Sequence, residues 1–326
     1  QWRARSLNAW QIPAEENWQA INAKCRPGYE WVTMFHPFSF GSSPTQTEFS
    51  YRDGCTHLNL LSFLMNDAVD RFMHPNFRCD SLARKSVTGK LWETHADWWQ
   101  KGFTDGADPE YEEQILPLAV DLLKGFDRIL DVGCGEGQIT RRLNLANSQI
   151  LGIDATWAQI SEAAGRSNDE NYVRASAEAI PFKNHVFDAA IACLVFEHIV
   201  EMEDAIREVA RVLRPAGRFV LMLNHPLLQT PGSGWVDDHM ADPPDQYWRI
   251  GDYLIEQETV EEVELGVHIP FVHRPLSIYV NTLSENGLIV ERMLEPSPPE
   301  GFTERHDSYA AAAFIPRLLV LICRRG

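Results

Sequence analysis

The stretch Arg128-Ile-Leu-Asp-Val-Gly-Cys-Gly-Glu-Gly-Gln138 decides the fold. An apolar run opens into a glycine-rich turn, and a helical pattern carrying Ile139, Leu143 and Leu145 follows it. In a parallel α/β sheet the crevice beyond the first strand's carboxyl end holds a nucleotide-like ligand, and glycines there let the backbone approach it without a Cβ in the way. The spacing is G-x-G-x-G, not the G-x-G-x-x-G on which a pyrophosphate rests, and Asp131 stands two residues before the first glycine. A carboxylate in that crevice repels a pyrophosphate but receives an ammonium group, directly or through water. The turn therefore suits a zwitterionic amino-acid moiety.

Outward from this turn, strands and helices alternate. Asp108-Pro-Glu-Tyr-Glu-Glu reads as a helix start, with Asp at the cap, Pro at the first helical position and acids complementing the dipole; the helix runs to about Lys124. Before it, Trp92 to Gln100 reads as a short aromatic helix. Gln149 to Asp154 is a second buried strand, Ala155 to Arg166 a second helix, and Asn171 to Ala175 a third strand. Val186 to Cys193 is a fourth strand, Glu203 to Leu213 the helix behind it, and Arg218 to Leu223 a fifth strand. Arg274 to Glu285 then reads as a helix, with Gly287 to Met293 and Ala312 to Cys323 as closing strands. The fold class is α/β, a doubly wound, mainly parallel seven-stranded sheet covered on both faces. Residues 225–273 break the regularity with Pro226, Pro231-Gly-Ser-Gly234 and Asp242-Pro-Pro244, and are read as an irregular cover inserted after strand five.

Charge divides the chain. Residues 1–88 hold 9 Lys/Arg against 8 Asp/Glu and lack sustained periodicity, whereas 89–326 hold 20 against 38. Residues 89–326 are therefore the patterned domain, and 1–88 an N-terminal extension open to three readings: a small accessory domain, a lid, or sequence translated from upstream of the natural start. The metal-capable set Cys25, His36, Cys55, His57, His74 and Cys79 there matches no ligand spacing, so no metal is expected. A net charge of −17 argues against nucleic acid as the main partner and for a small molecule. The six cysteines are scattered with no CxxC pair, the usage of a reduced, cytoplasmic protein. No apolar run approaches the ~20 residues of a membrane span, and the oligomeric state is not legible.

The ordered strings Ile129-Leu-Asp-Val-Gly-Cys-Gly-Glu-Gly137, Gly152-Ile-Asp154, Ala175-Ser-Ala-Glu-Ala-Ile-Pro-Phe182, Phe187 to His198 and Glu208 to Phe219 resemble the motifs of class I S-adenosylmethionine-dependent methyltransferases, in their small-molecule branch. The resemblance covers roughly residues 90 to 325. It implies that S-adenosyl-L-methionine is the cofactor, that Asp131, Gly133, Cys134 and Gly135 hold its methionine part, and that Asp154 takes the ribose hydroxyls with Ala155 beside the adenine. Ala177 and Glu178 would border the adenine ring; where family members often carry an Asp that accepts the adenine amino group, this chain has Ser176. Cys193 and Leu194 fall where the fourth strand meets the cofactor, and Trp98 and Trp99 are candidates for an aromatic cover.

The implied activity is methyl transfer to a small-molecule acceptor by in-line displacement, which depends chiefly on alignment. His198, just past the fourth strand, and His225, after the fifth, are the candidate proton acceptors, Glu197 a weaker one. His273 and Arg274 read equally as substrate-mouth residues and as a helix cap with a solvent-facing Arg. Two other classes stay open at this level: an NAD-type oxidoreductase on a related fold, and a catalytically silent relative that binds cofactor or a partner protein.

Overall fold

The computed structural model describes residues 90–144, 149–168, 170–240, 242–243, 245–304 and 311–326. The 1–88 extension with its Cys/His set, and Leu145, lie outside these described residues. Seven strands form one sheet in the order β10-β11-β5-β4-β1-β2-β3: β1 Arg128–Val132, β2 Gln149–Asp154, β3 Asn171–Arg174, β4 Phe187–Cys193, β5 Leu213–Asn224, β10 Leu288–Leu294 and β11 Leu318–Arg325. Six of them point the same way, and β11 alone enters antiparallel, between β5 and β10. The chain reverses direction across the sheet at β1, which pairs with β2 on one side and β4 on the other, so the crevice opens where Asp131 lies opposite Gly152 and Ile191.

The apolar strands are buried on both faces because successive residues serve two cores. Leu130 and Val132 of β1 pack with α5 (Met202–Val212) and α6 (Leu276–Glu285). Ile129 points the other way, into a cluster with Ile115 and Leu116, α2 (Leu116–Leu123) and α3 (Gln138–Asn144). The helix start at Asp108 is present: Glu110 N–H donates to Asp108 Oδ1 at 3.1 Å. Its middle is a π-turn, Tyr111–Ile115, before α2 begins. The N-terminal aromatic helix is one turn over 90–94 followed by α1, Ala96–Gly102.

The cover departs from expectation. Residues 225–273 are not irregular but carry two antiparallel ribbons, β6 (Gly234–Asp238) with β7 (Asp245–Arg249), and β8 (Gln257–Glu264) with β9 (Val267–His273). The closing strand is also shorter than read: Ala311–Phe314 is a 3₁₀ turn, and only beyond Pro316, which cannot donate to a ladder, does β11 start at Leu318. Helix α4, Trp157–Arg166, begins without a side-chain bond from its own cap residue, Thr156. Glu93 supplies the cap from a distance, its two carboxylate oxygens accepting from Trp157 N–H at 2.8 Å and Ala158 N–H at 2.9 Å. That contact ties the aromatic N-terminal helix across the mouth of the crevice. No helix among the described residues is long and apolar enough to cross a membrane.

Candidate active site

The crevice is a cavity of about 320 Å³. The end of β1 and its turn contribute Asp131, Gly133, Cys134 and Gly135; β2 ends there in Asp154 and Ala155. The loop after β3 brings Ala177 and Glu178, and the end of β4 brings Cys193, Leu194 and, one turn on, His198. The turn is locked to its neighbours. Gly133 and Cys134 N–H both donate to Ile153 C=O, at 2.8 and 2.9 Å, and Gly137 N–H donates to Cys134 C=O at 2.9 Å. Gly135 N–H donates to Asp154 Oδ2 at 3.1 Å, whose other oxygen accepts from Thr156 N–H at 2.7 Å.

Each glycine has its own reason. All three turn glycines hold positive φ. A Cβ on Gly133 would meet Val195 Cγ2 at 2.4 Å, and one on Gly137 would meet the Tyr172 hydroxyl at 2.3 Å, so these two are fixed by protein packing. A Cβ on Gly135 would meet only Trp99 Nε1, at 3.8 Å. It would otherwise project into the cavity, which is the space a bound cofactor needs.

Burial raises the Asp131 carboxyl to about 7, although the Thr140 hydroxyl donates to it at 2.7 Å. Burial also raises Asp154, against the opposing hydrogen bonds from Thr156 and Gly135. Glu136 lines the same cavity but is already paired with Arg141 at 2.6 Å and Arg166 at 3.0 Å. Asp131 is thus a buried carboxyl bonded to a neutral hydroxyl, an arrangement able in chemical terms to receive a positively charged group.

Part of the cavity wall is aromatic. Trp92, Trp99 and Tyr111 line it beside Val195 and Ile199. The His198 ring sits 4.9 Å from Trp92 and 4.7 Å from Phe271 between centroids, and its Nδ1 lies 2.7 Å from Pro270 C=O on β9. Enclosure lowers its pKa to about 4, so it is neutral at pH 7. Two further contacts join the N-terminal helix to the β8–β9 ribbon: Trp98 Nε1–H donates to Glu264 at 2.8 Å, and His268 N–H donates to His95 Nε2 at 3.3 Å. Of the two tryptophans read as a cover, Trp99 lines the cavity and Trp98 fastens the cover.

Other candidates fall elsewhere. His225 does not line the cavity: its Nε2 bonds Glu295, just past β10, at 2.8 Å and its Nδ1 accepts from Leu227 N–H, so the side chain is engaged away from the crevice. Glu197 turns away to brace β5, accepting from Asn224 N–H and Nδ2–H at 3.1 and 3.0 Å. His273 and Arg274 are buried and do not line this cavity; His273 Nε2–H donates to Tyr253 C=O. Sequence reading missed Tyr111, Gln159 and Val200 among the lining residues, since a buried tyrosine or glutamine in a helical stretch carries no local sign of the cavity it faces.

Residues 130–221 match a family model described as a methyltransferase domain. Malonyl-[acyl-carrier protein] O-methyltransferase of Enterobacter lignolyticus is 34% identical over 119 residues, covering 34% of this chain and 47% of that protein. The 27-O-demethylrifamycin SV methyltransferase of Amycolatopsis mediterranei is 31% identical over 153 residues, covering 41% and 56%. The chain thus spans about half the length of the curated relatives it matches. Among solved structures, an S-adenosylmethionine-dependent methyltransferase from Mesorhizobium loti aligns at a TM-score of 0.55 with 25% identity, over 65% of this chain and 96% of that one.

Proposed function

We propose that this chain, a class I S-adenosylmethionine-dependent methyltransferase by fold, ordered motifs and kinship, transfers a methyl group to a small-molecule acceptor held between the β4 end and the aromatic cover. The observation that carries the reading is the state of the glycine turn. The amides of Gly133, Cys134, Gly135 and Gly137 are all spent on protein acceptors, so none of these four is left for a pyrophosphate, and the group aimed at the ligand is the buried Asp131. That favours an ammonium-bearing ligand over a dinucleotide. When bound, S-adenosyl-L-methionine supplies an electrophilic methyl on a sulfonium.

The protein's own part is alignment and exclusion of water. Asp131 would take the ammonium, Asp154 the ribose hydroxyls, and Ala177 with Glu178 would border the adenine. The Gly135 position leaves room for the chain between them. Trp92, Trp99 and Tyr111 shape the acceptor end, where aromatic faces favour a cationic centre. His198 is the proposed proton acceptor; His225 is not. The relatives' names cover a malonyl carrier, a rifamycin and, in Thermus thermophilus, a demethylmenaquinone, so kinship leaves the acceptor open. The acidic composition supports a partner other than nucleic acid, and the buried free thiols Cys134, Cys193 and Cys323 support a reducing, cytoplasmic setting.

Calorimetry separates the readings. S-adenosylhomocysteine is expected to bind and NAD is not; NAD binding alone would overturn the assignment, and binding of neither would sink it too. A pH profile adds a second check. An ammonium beside Asp131 holds the bound carboxyl ionised, whereas the free site titrates at about 7. Affinity should therefore be level above that pH and fall below it, by up to about tenfold per unit, until the bound-state pKa is reached. A profile flat down to about pH 5.5 would deny Asp131 this role.

A further inference from the structure

Building on the methyl-transfer reading, we propose that the acceptor is an uncharged, largely apolar molecule whose nucleophile is a neutral hydroxyl presented to Nε2 of His198, and that carboxylic acids are refused. Three observations converge on it.

The first is the tautomer of His198. Pro270 C=O can only accept, so at 2.7 Å the Nδ1 must carry the ring proton and donate it. Nε2 is then bare, a hydrogen-bond acceptor with no proton to give. The ring cannot readily exchange its two nitrogens, because Trp92 and Phe271 flank it and Pro270 belongs to a paired strand, opposite Val260. A ligand group meeting Nε2 has to bring its own proton.

The second is the charge of the cavity that His198 lines. Among the described residues, no Lys or Arg lines the cavity, while Asp131, Glu136, Asp154, Glu178 and Glu201 do. An acceptor carboxylate would lose its water and find no protein cation and no donor at Nε2, and in the complex with S-adenosylhomocysteine no sulfonium either, a heavy cost for a buried charge. Tyr111 does not repair this: burial keeps its phenol protonated, and its hydroxyl interacts with Cys193 rather than with a free position in the cavity.

The third is the geometry of the nucleophile itself. An amine arrives in water as an ammonium, and His198, held neutral by its enclosure, is too weak a base to strip it. A hydroxyl gives its one proton to Nε2 and keeps lone pairs at an angle to that bond, free for in-line attack. In the transfer the acceptor oxygen forms the new C–O bond, the C–S bond breaks with its electron pair left on sulfur, and the hydroxyl proton passes to Nε2. The single positive charge moves from sulfur to the imidazole. Even a weak base can take that proton, because the oxygen becomes strongly acidic as the methyl arrives. The walls made by Trp92, Val195, Ile199 and Val200 require an apolar body for the molecule that carries the hydroxyl.

The test uses the full chain saturated with S-adenosylhomocysteine, at a pH of about 7.5, and three probes of one shape: 2-naphthol, 2-naphthoate and 2-naphthylmethylammonium. Naphthol is expected to bind at least about tenfold tighter than either charged probe. His198→Phe keeps the ring packing between Trp92 and Phe271 but removes Nε2; His198→Ala removes both. Each should weaken naphthol about tenfold and leave S-adenosylhomocysteine affinity unchanged. Preference for naphthoate or the ammonium probe, absence of naphthol binding, or naphthol affinity indifferent to both variants would overturn the proposal. Failure of S-adenosylhomocysteine to bind the unmodified chain is a separate result and strikes the methyl-transfer reading instead.

Discussion

Replacing Asp131 by asparagine is expected to weaken S-adenosylhomocysteine binding by about 3 kcal/mol, roughly 150-fold, without loss of fold stability. The two effects have opposite origins. Asp131 is 1% exposed and, besides the neutral Thr140 hydroxyl at 2.7 Å, faces Asp154 and Glu136, which raise its pKa further. Its folded pKa of about 7 stands above the ordinary 3.8, so the folded state holds a proton more readily than the unfolded chain. Stability therefore falls as pH rises between those two values, and the penalty of the buried charge is fully present above the upper one. Asparagine removes that penalty and can still accept from Thr140. The variant should melt at the same temperature as the parent or higher at about pH 8, while losing the charge that meets the ligand's ammonium. Its affinity should also lose the fall below neutrality. Unchanged affinity, or a variant that melts well below the parent at that pH, would refute this account of the site.

The same residue shows why so much of the cradle was legible. Asp131, the turn glycines and Asp154 are fixed by short-range rules: a strand that must end in the crevice, a backbone that must adopt positive φ, an acid that must close the next strand. The strands of the parallel sheet were legible for a related reason, since Ile129 to Val132 and Ala189 to Cys193 are buried on both faces and read as unbroken apolar runs. The cover obeys neither rule. Residues 257–264 of β8 are mostly exposed on both faces, so their acids hide the period of two that marks a half-buried strand. The strand exists because of its ladder with β9, and β9 contains Pro270, a residue that cannot donate to a ladder. In the structure that same proline's carbonyl orients His198, a contact between residues 72 apart in the chain that no local pattern announces.

Arg274 is where the local reading could not choose, and its expected effect is large. The side chain is 4% exposed. Its Nη2 donates to the carbonyls of Ile199 and Val200 at 2.9 and 2.8 Å, its Nη1 reaches that of Phe196 at 3.4 Å, and its Nε pairs with Glu256 at 3.2 Å. One guanidinium thus holds the whole connection between β4 and α5, the segment that carries His198, against the root of the cover ribbon. A methionine of similar reach would fill the space but leave those carbonyls without donors at roughly 1–3 kcal/mol each, partly recovered by water. Arg274→Met is expected to cost about 3–5 kcal/mol, a fall in melting temperature of roughly 6–20 °C for a domain of this size. Arg274→Lys should lie between, because an ammonium can reach one or two of the carbonyls but lacks the planar fork that serves them together. Binding gives the sharper discrimination. Asp131 and Asp154 are untouched, so S-adenosylhomocysteine affinity should survive wherever the variant remains folded. Naphthol affinity should fall, because His198 is no longer held between Trp92 and Phe271 with Nε2 toward the cavity. Equal loss of both ligands would mean that the β4–α5 connection positions the cofactor as well, and unchanged melting would mean that Arg274 is not the clamp its contacts describe.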